Sequence, residues 1–165
     1  MLKAKVIRKK GKIEKLLKNL NSLSANNLQI GHFEDGKNHG DSNITNVELL
    51  QLWAAGATSS GVIKNPLASF TFTQMSNKGL LRNPKVKLIY KKWSKNLLRE
   101  GASEAFLMDM GKVLREEYSE VFGRAGLFMP VTEGTSTPLL DTGELRSKTA
   151  YKSSYDNQVR ETGSI

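Results

Sequence analysis

Between Pro84 and Val121 the apolar residues fall into two helical rows, and this run constrains the fold more than any other segment. Val86, Tyr90, Trp93 and Leu97 recur at helical spacing, and after Gly101 the residues Phe106, Met110, Val113, Tyr118 and Val121 align on one face of a second run. The pattern predicts two consecutive helices, entered past the break from Gly79 to Pro84 and closed by Gly123 and Gly126. Apolar faces of this kind have to be covered by other layers of the fold, so the remaining segments are read for what they can supply.

Ile13, Leu16, Leu17 and Leu20 sit at i, i+3, i+4 and i+7, which predicts a short amphipathic helix over residues 12–21 that ends in the turn-prone run Asn21 to Asn27. Leu28 to Phe33 alternates as a strand and leads into a polar loop, Glu34 to Asn43. Thr45 followed by Glu48 is a capping-box pattern, with Val47, Leu49, Leu50 and Trp53 forming the apolar stripe of a helix that should stop at Gly56. Past the loop from Thr58 to Gly61 and the stretch Asn65-Pro66-Leu67, the alternation Ser69-Phe70-Thr71-Phe72-Thr73 predicts a second strand. Met129 to Thr137 reads as a Pro/Gly/Thr-rich connection, and Thr149 to Ser154 as a half-exposed closing strand. The expected fold class is α+β: a small antiparallel sheet packed against two or three helices, with extended loops and terminal arms. Residues 1–27 form a basic N-terminal segment and helix, 28–155 the core domain, and 156–165, poor in apolar residues, an arm or disordered tail.

The chain has 165 residues, 38% of them hydrophobic, which suits one domain with one modest core. Without cysteine, disulfides and thiolate metal sites are excluded. There is no uninterrupted apolar h-region at the N-terminus and no run of the roughly 18 apolar residues a bilayer span needs, so neither export by a signal peptide nor a membrane partner is expected. The net charge of +9 is unevenly placed. Residues 1–20 hold eight Lys or Arg against one acid, residues 78–99 hold eight against none, and the remainder has nine bases and fifteen acids. Lys3, Lys5, Arg8, Lys9 and Lys10 in the first block, and Arg82, Lys87, Lys91 and Lys95 in the second, are the candidate contacts for DNA or an acidic protein face. The plainer alternative makes Lys87, Lys91 and Lys95 the solvated stripe of an amphipathic helix.

Catalytic readings are poorly supported. His32, Glu34, Asp35, His39 and Asp41 crowd together, but the histidines lack helical i, i+4 spacing and Gly36 and Gly40 would hold the ligands loosely, so a polar loop is expected and no metal. No segment has Walker or dinucleotide-fingerprint spacing, and Ser59-Ser60-Gly61 is a loop rather than a nucleophile elbow. Asp141-Thr142-Gly143 matches the aspartic-protease triplet without the strand and flap context that chemistry needs. Trp53 and Trp93 fall on apolar helical faces, which favours core packing over base stacking. The basic helix near residues 85–99 offers mostly Lys, suited to phosphate contacts without base readout. No enzyme activity and no cofactor are expected.

The most informative string lies near the C-terminus: Thr137-Pro138-Leu139-Leu140-Asp141-Thr142-Gly143-Glu144-Leu145-Arg146. Pro138 biases Thr137 to an extended conformation, Leu139-Leu140 reach for a core, Asp141 or Thr142 can cap a short turn, and Gly143 gives freedom where the chain reverses. The string resembles the close of the small tail-completion and head-to-tail joining (neck) proteins of long-tailed bacteriophages. The order of the other pieces is similar too, over residues 28–155: Ile30-Gly31-His32-Phe33, then Asn46 to Trp53-Ala54-Ala55-Gly56, then Ile63-Lys64-Asn65-Pro66-Leu67. The chain departs from the family where Ala55 replaces a common Glu before Gly56, where Lys64 and Asn65 stand beside Pro66 in place of Arg, and in a longer basic stretch, Ser76 to Lys85.

The resemblance implies an α+β protomer that forms a ring, usually six-fold, at the neck or the head-proximal end of a tail, completing the tail and joining it to the DNA-filled head. Its motif and docking positions here are Gly31, Phe33, Trp53, Gly56, Pro66, Pro138, Leu139, Asp141, Thr142, Gly143, Leu145 and Arg146. The implied partners are further copies of the chain and adjacent neck, head-completion, tail-terminator or tail-tube proteins, with non-specific contact to genomic DNA in the channel; the implied location is the virion. The expectation of a different class is a sequence-independent nucleic-acid-binding protein using the two basic blocks.

Overall fold

The computed structural model describes residues 10–41, 43–55, 67–122 and 144–161. It has the α+β character read from the sequence, with six α-helices and a three-stranded antiparallel sheet among these described residues. The two helical rows become α4 (Pro84–Asn96) and α5 (Ala102–Val121). Asn83 caps α4 by accepting from the Lys85 backbone N–H at 2.8 Å, and Pro84 follows at the first turn, where its missing N–H costs nothing. Gly101, at φ 71°, makes the reversal into α5.

The two helices are antiparallel, and ion pairs record their register. Lys85 Nζ meets Glu116 at 2.8 Å, and two turns further along Lys92 Nζ meets Asp109 at 2.6 Å. These groups are largely exposed, so the pairs set register more than they stabilise. The adhesive contact is apolar: Ile89, Phe106 and Leu107 form a buried cluster with Trp93, Met110 and Val113 around it.

α1 (Lys10–Ala25) packs on α5 and is longer than the predicted 12–21. It runs through the expected turn because Leu23 packs against the Ile89/Phe106/Leu107 cluster, while Ser24 Oγ and Asn26 Nδ2 donate to the carbonyls of Asn21 and Ser22 near its end. β1 (Leu28–Gly31) then pairs with β2 (Ala150–Ser153), Leu28 opposite Ser153 and Gly31 opposite Ala150. β2 is the central strand, and its other edge takes β3 (Val159–Arg160). The predicted tail is therefore corrected over residues 156–161. Asp156 pairs with Arg160, which holds the Asp156 carboxyl down at about 2, and Arg160 lies 5.8 Å from the Tyr151 ring centre.

α2 (Asn46–Ala55) opens with the expected capping box: the Thr45 N–H donates to Glu48 Oε2 at 2.7 Å and the Glu48 N–H to Thr45 Oγ1 at 3.2 Å. The strand predicted at Ser69–Thr73 is wrong. Those residues lie inside α3 (Leu67–Asn77). Their period-two alternation was misleading because Thr71 and Met75, four apart, are the buried pair facing the core, and Thr73 Oγ1 satisfies itself on the Ser69 carbonyl at 2.9 Å. A 3-10 turn (Leu80–Arg82) links α3 to α4, and a single turn, α6 (Glu144–Ser147), precedes β2. No helix among the described residues is long and apolar enough to cross a membrane.

The sheet rests on α5 at Gly111. A Cβ built there would overlap the Tyr151 ring, 2.9 Å from Cγ and closer still to Cδ2 and Cε2. Gly→Ala within a helix ordinarily gains about 1 kcal/mol. Here the overlap reverses the sign, and Gly111→Ala is expected to destabilise by about 1–3 kcal/mol in urea denaturation, with part of the loss recovered when Tyr151→Leu is added. A Gly111→Ala protein as stable as the parent would show that the sheet does not lie this close.

Candidate functional site

Two pieces of the sequence singled out for function, residues 28–33 and 144–151, meet at one corner. The His32 ring follows β1, bonds the Leu145 carbonyl through Nε2 at 2.6 Å, and lies 4.9 Å from the Phe122 ring centre and 6.1 Å from that of Tyr118. With the carbonyl as acceptor, Nε2 carries the proton and donates. Leu145 itself is buried among Met75, Tyr118, Val121 and Phe122, with Ile30, Leu49, Leu50 and Leu80 at the edge. Arg146 Nε donates to the Ser119 carbonyl at 2.8 Å, and the Arg146 carbonyl accepts from Thr149 Oγ1 at 3.0 Å. The Leu145-Arg146 step therefore docks, but onto the end of its own α5. Substituting Leu145 would test folding rather than contact with a partner.

Of the other positions, Gly31 ends β1, buried and at φ 144°, and Phe33 follows it half-buried. Trp53 lies on α2 with its side chain outside the described residues, as do Gly56, Pro66, Pro138, Leu139, Asp141, Thr142 and Gly143 in full. Lys3, Lys5, Arg8 and Lys9 are likewise outside, and Lys10 opens α1. Arg82 is exposed in the 3-10 turn. Lys87, Lys91 and Lys95 form an exposed row on α4, without ion pairs among the described residues, next to Leu88 at 67% exposure. The acidic, histidine-containing residues from His32 to Asp41 disperse: His32 turns inward, while His39 Nδ1 bonds Asn46 Oδ1 at 2.7 Å. Among the described residues no cluster of His, Asp or Glu could hold a metal.

Two features escaped the sequence reading. Asn19, in the middle of α1, is buried, and its Nδ2 donates to the carbonyls of Leu97 at 2.6 Å and Arg99 at 2.9 Å, while Ser103 Oγ donates to the Asn19 carbonyl at 2.6 Å. These bonds tie α1 to the α4–α5 turn and fix its rotation. Of the predicted apolar row, Leu16 is half-buried while the other three face out as a result, Ile13 61%, Leu17 52% and Leu20 40% exposed. The available signal was Asn19 itself, a polar residue beside an otherwise leucine-rich face. At the far end of α5, Ile44, Glu48, Gln51, Leu52 and Ala55 line a shallow groove on α2, with Leu52 45% exposed. Glu34 stands beside it, accepting from Thr45 Oγ1 at 3.1 Å.

With this geometry the chain can present surfaces; the described residues gather no nucleophile–base pair or ligand cage. No protein-family model, curated protein or solved structure matches the chain significantly.

Burial lowers the His32 pKa below 6.5, against a smaller opposing effect of its bond to Leu145. Between the folded value and 6.5 the unfolded chain binds a proton that the folded chain refuses, so stability falls as pH drops through that window and is complete above it. Urea midpoints measured from pH 7.5 down to 5.5 should fall more steeply for the parent than for His32→Gln. Equal slopes would mean that His32 titrates in the folded protein as it does in the unfolded one.

Proposed function

We propose that this chain is a non-enzymatic assembly protein of the bacteriophage virion, acting in a ring at the neck or head-proximal end of the tail to complete the tail and join it to the DNA-filled head. The observation that carries the assembly reading is the exposed apolar row of α1, held outward by Asn19. A row of this kind presented to water marks a surface used for association. The phage assignment rests on the order of the four sequence pieces, and it is supported by the joining of the first and the last of them, through His32 and the Leu145 carbonyl. Partners on this reading are further copies of the chain, in a six-fold ring, and neighbouring neck or tail proteins, with genomic DNA passing through the channel.

Deleting the gene from its parent phage or prophage is expected to give DNA-filled heads beside detached or malformed tails in negative-stain micrographs, rescued by adding the protein. Intact virions would remove the joining role.

A second reading, sequence-independent nucleic-acid binding, is favoured by the exposed row Lys87, Lys91 and Lys95, without ion pairs among the described residues, whose i, i+4, i+8 spacing spans about 12 Å of helix. On the joining reading the purified protein binds duplex DNA weakly. If the lysines are a DNA site, anisotropy titrations should show a steep salt dependence, and replacing all three with Glu should reduce the log–log slope by about 3.

A further inference from the structure

β1 lies at one edge of the sheet, and its outer side offers unpaired backbone. The Ser154 N–H donates to the Asn27 carbonyl at 3.1 Å, continuing the ladder between β1 and β2. Bonding direction alternates along an antiparallel strand, so Gln29 and Gly31 bond toward β2 while Leu28 and Ile30 direct their N–H and C=O groups away from it. Those four groups have no hydrogen-bond partner among the described residues. The opposite edge is guarded: β3 has only two residues, and one of them, Arg160, is charged and held by Asp156. β1 has four residues without proline, and the whole run from Asn26 to Phe33 contains no Lys, Arg, Asp or Glu. Charge and proline are the common guards of an open edge, and β1 has neither.

Only extended backbone can fill such a row of donors and acceptors. The row is symmetric about Gln29. A second β1 laid antiparallel across it sets Leu28 of each copy opposite Ile30 of the other, and all the outward groups of both strands are then satisfied. The side chains agree with this register. Leu28 packs on the Ile89/Phe106/Leu107 cluster and Ile30 on the cluster containing Tyr118 and Val121, so each Leu28–Ile30 pair extends the apolar layer beneath the sheet. Gln29 is exposed on the other face, where two amides across the axis can exchange hydrogen bonds. Charge points to the same place. Copies of a chain with net charge +9 repel, and this neutral edge lets them meet without setting lysine against lysine.

We propose that two copies pair β1 to β1, antiparallel about Gln29, so that their two three-stranded sheets become one. The contact is isologous and joins copies two by two, whatever larger assembly they enter. It does not rest on the function proposed above.

Amide exchange in the parent protein reads the contact without any substitution. The Leu28 and Ile30 amides should exchange about tenfold or more slowly at high protein concentration than after dilution, while the Gln29 amide, bonded to β2, changes little. Gln29→Cys tests the register, because residues directly opposite in a non-hydrogen-bonded pair have Cα atoms about 4.5 Å apart, within disulfide reach. The chain has no cysteine of its own. In glutathione buffer Gln29→Cys should give disulfide-linked dimers, whereas Leu88→Cys, at a side chain 67% exposed, should stay monomeric. Gln29→Lys sets two ammonium groups side by side on the axis and should weaken the dimer about tenfold or more in sedimentation equilibrium, with an unchanged circular dichroism spectrum. Equal dimer yields from the two cysteine variants would overturn the proposal. So would Leu28 and Ile30 amides whose exchange is independent of concentration: slow exchange would mean that the same chain covers the edge, and fast exchange that the edge takes no second copy.

Discussion

The close approach of Tyr151 to α5 over Gly111 sets the position of nearly everything else. β2 is the central strand, so the depth at which it lies on the helix fixes β1 on one edge and β3 on the other. β1 in turn delivers His32 to the end of α5, where its ring meets Phe122 and its Nε2 meets the Leu145 carbonyl. A side chain at Gly111 would lift the sheet, and the corner built from residues far apart in sequence would open with it. The Tyr118 hydroxyl beneath that corner is buried without a hydrogen-bond partner among the described residues, and burial raises its pKa, so the phenol remains neutral. Apolar and aromatic packing carries this end of the molecule.

The other end of α5 is organised by polar groups. Asn19 reaches the carbonyls of Leu97 and Arg99 where α4 gives way to the turn, the second of which also accepts from the Ala102 N–H, and a buried amide so placed is costly to replace, because its removal takes two hydrogen bonds from the contact between α1 and the turn. The consequence for function is geometric. An amphipathic helix would ordinarily turn its apolar row inward, yet here three hydrogen bonds hold the polar position inward and direct the row to solvent. The lysine–carboxylate pairs between α4 and α5 divide the second basic block in a similar way: Lys85 and Lys92 are engaged within the chain, and Lys87, Lys91 and Lys95 are exposed without ion pairs among the described residues.

The resulting distribution of surfaces suits a component that joins others. An exposed apolar helix face and an apolar groove edged by Glu48 lie at opposite ends of one long helix, and a lysine row runs along its neighbour. Contacts of this sort need no bound cofactor and no titrating catalytic group. They need surfaces whose directions are fixed, and the buried Asn19 and the Gly111–Tyr151 contact supply that rigidity at low cost in residues.

By itself the sequence determined the features that depend on neighbours along the chain. The periodicity of residues 86–121 gave α4 and α5, Thr45 and Glu48 placed the start of α2, and the alternations at Leu28 and Ala150 gave the two strands that pair. Charge counting located the basic blocks. Tertiary structure alone decided the rest. Ser69 to Thr73 alternates as a strand would, but strand preference is worth only about 1 kcal/mol, and burying Thr71 and Met75 against α5 outweighs it. Asn19 is the one mark in the sequence of how α1 turns, and it decides nothing without the carbonyls some eighty residues away that it bonds; nor does the sequence tell that His32 is a structural ring and not a ligand, because its acceptor lies 113 residues on. Local pattern fixes what a segment can form, while long-range partners fix which face it buries, and in this protein the outward faces carry the proposed function.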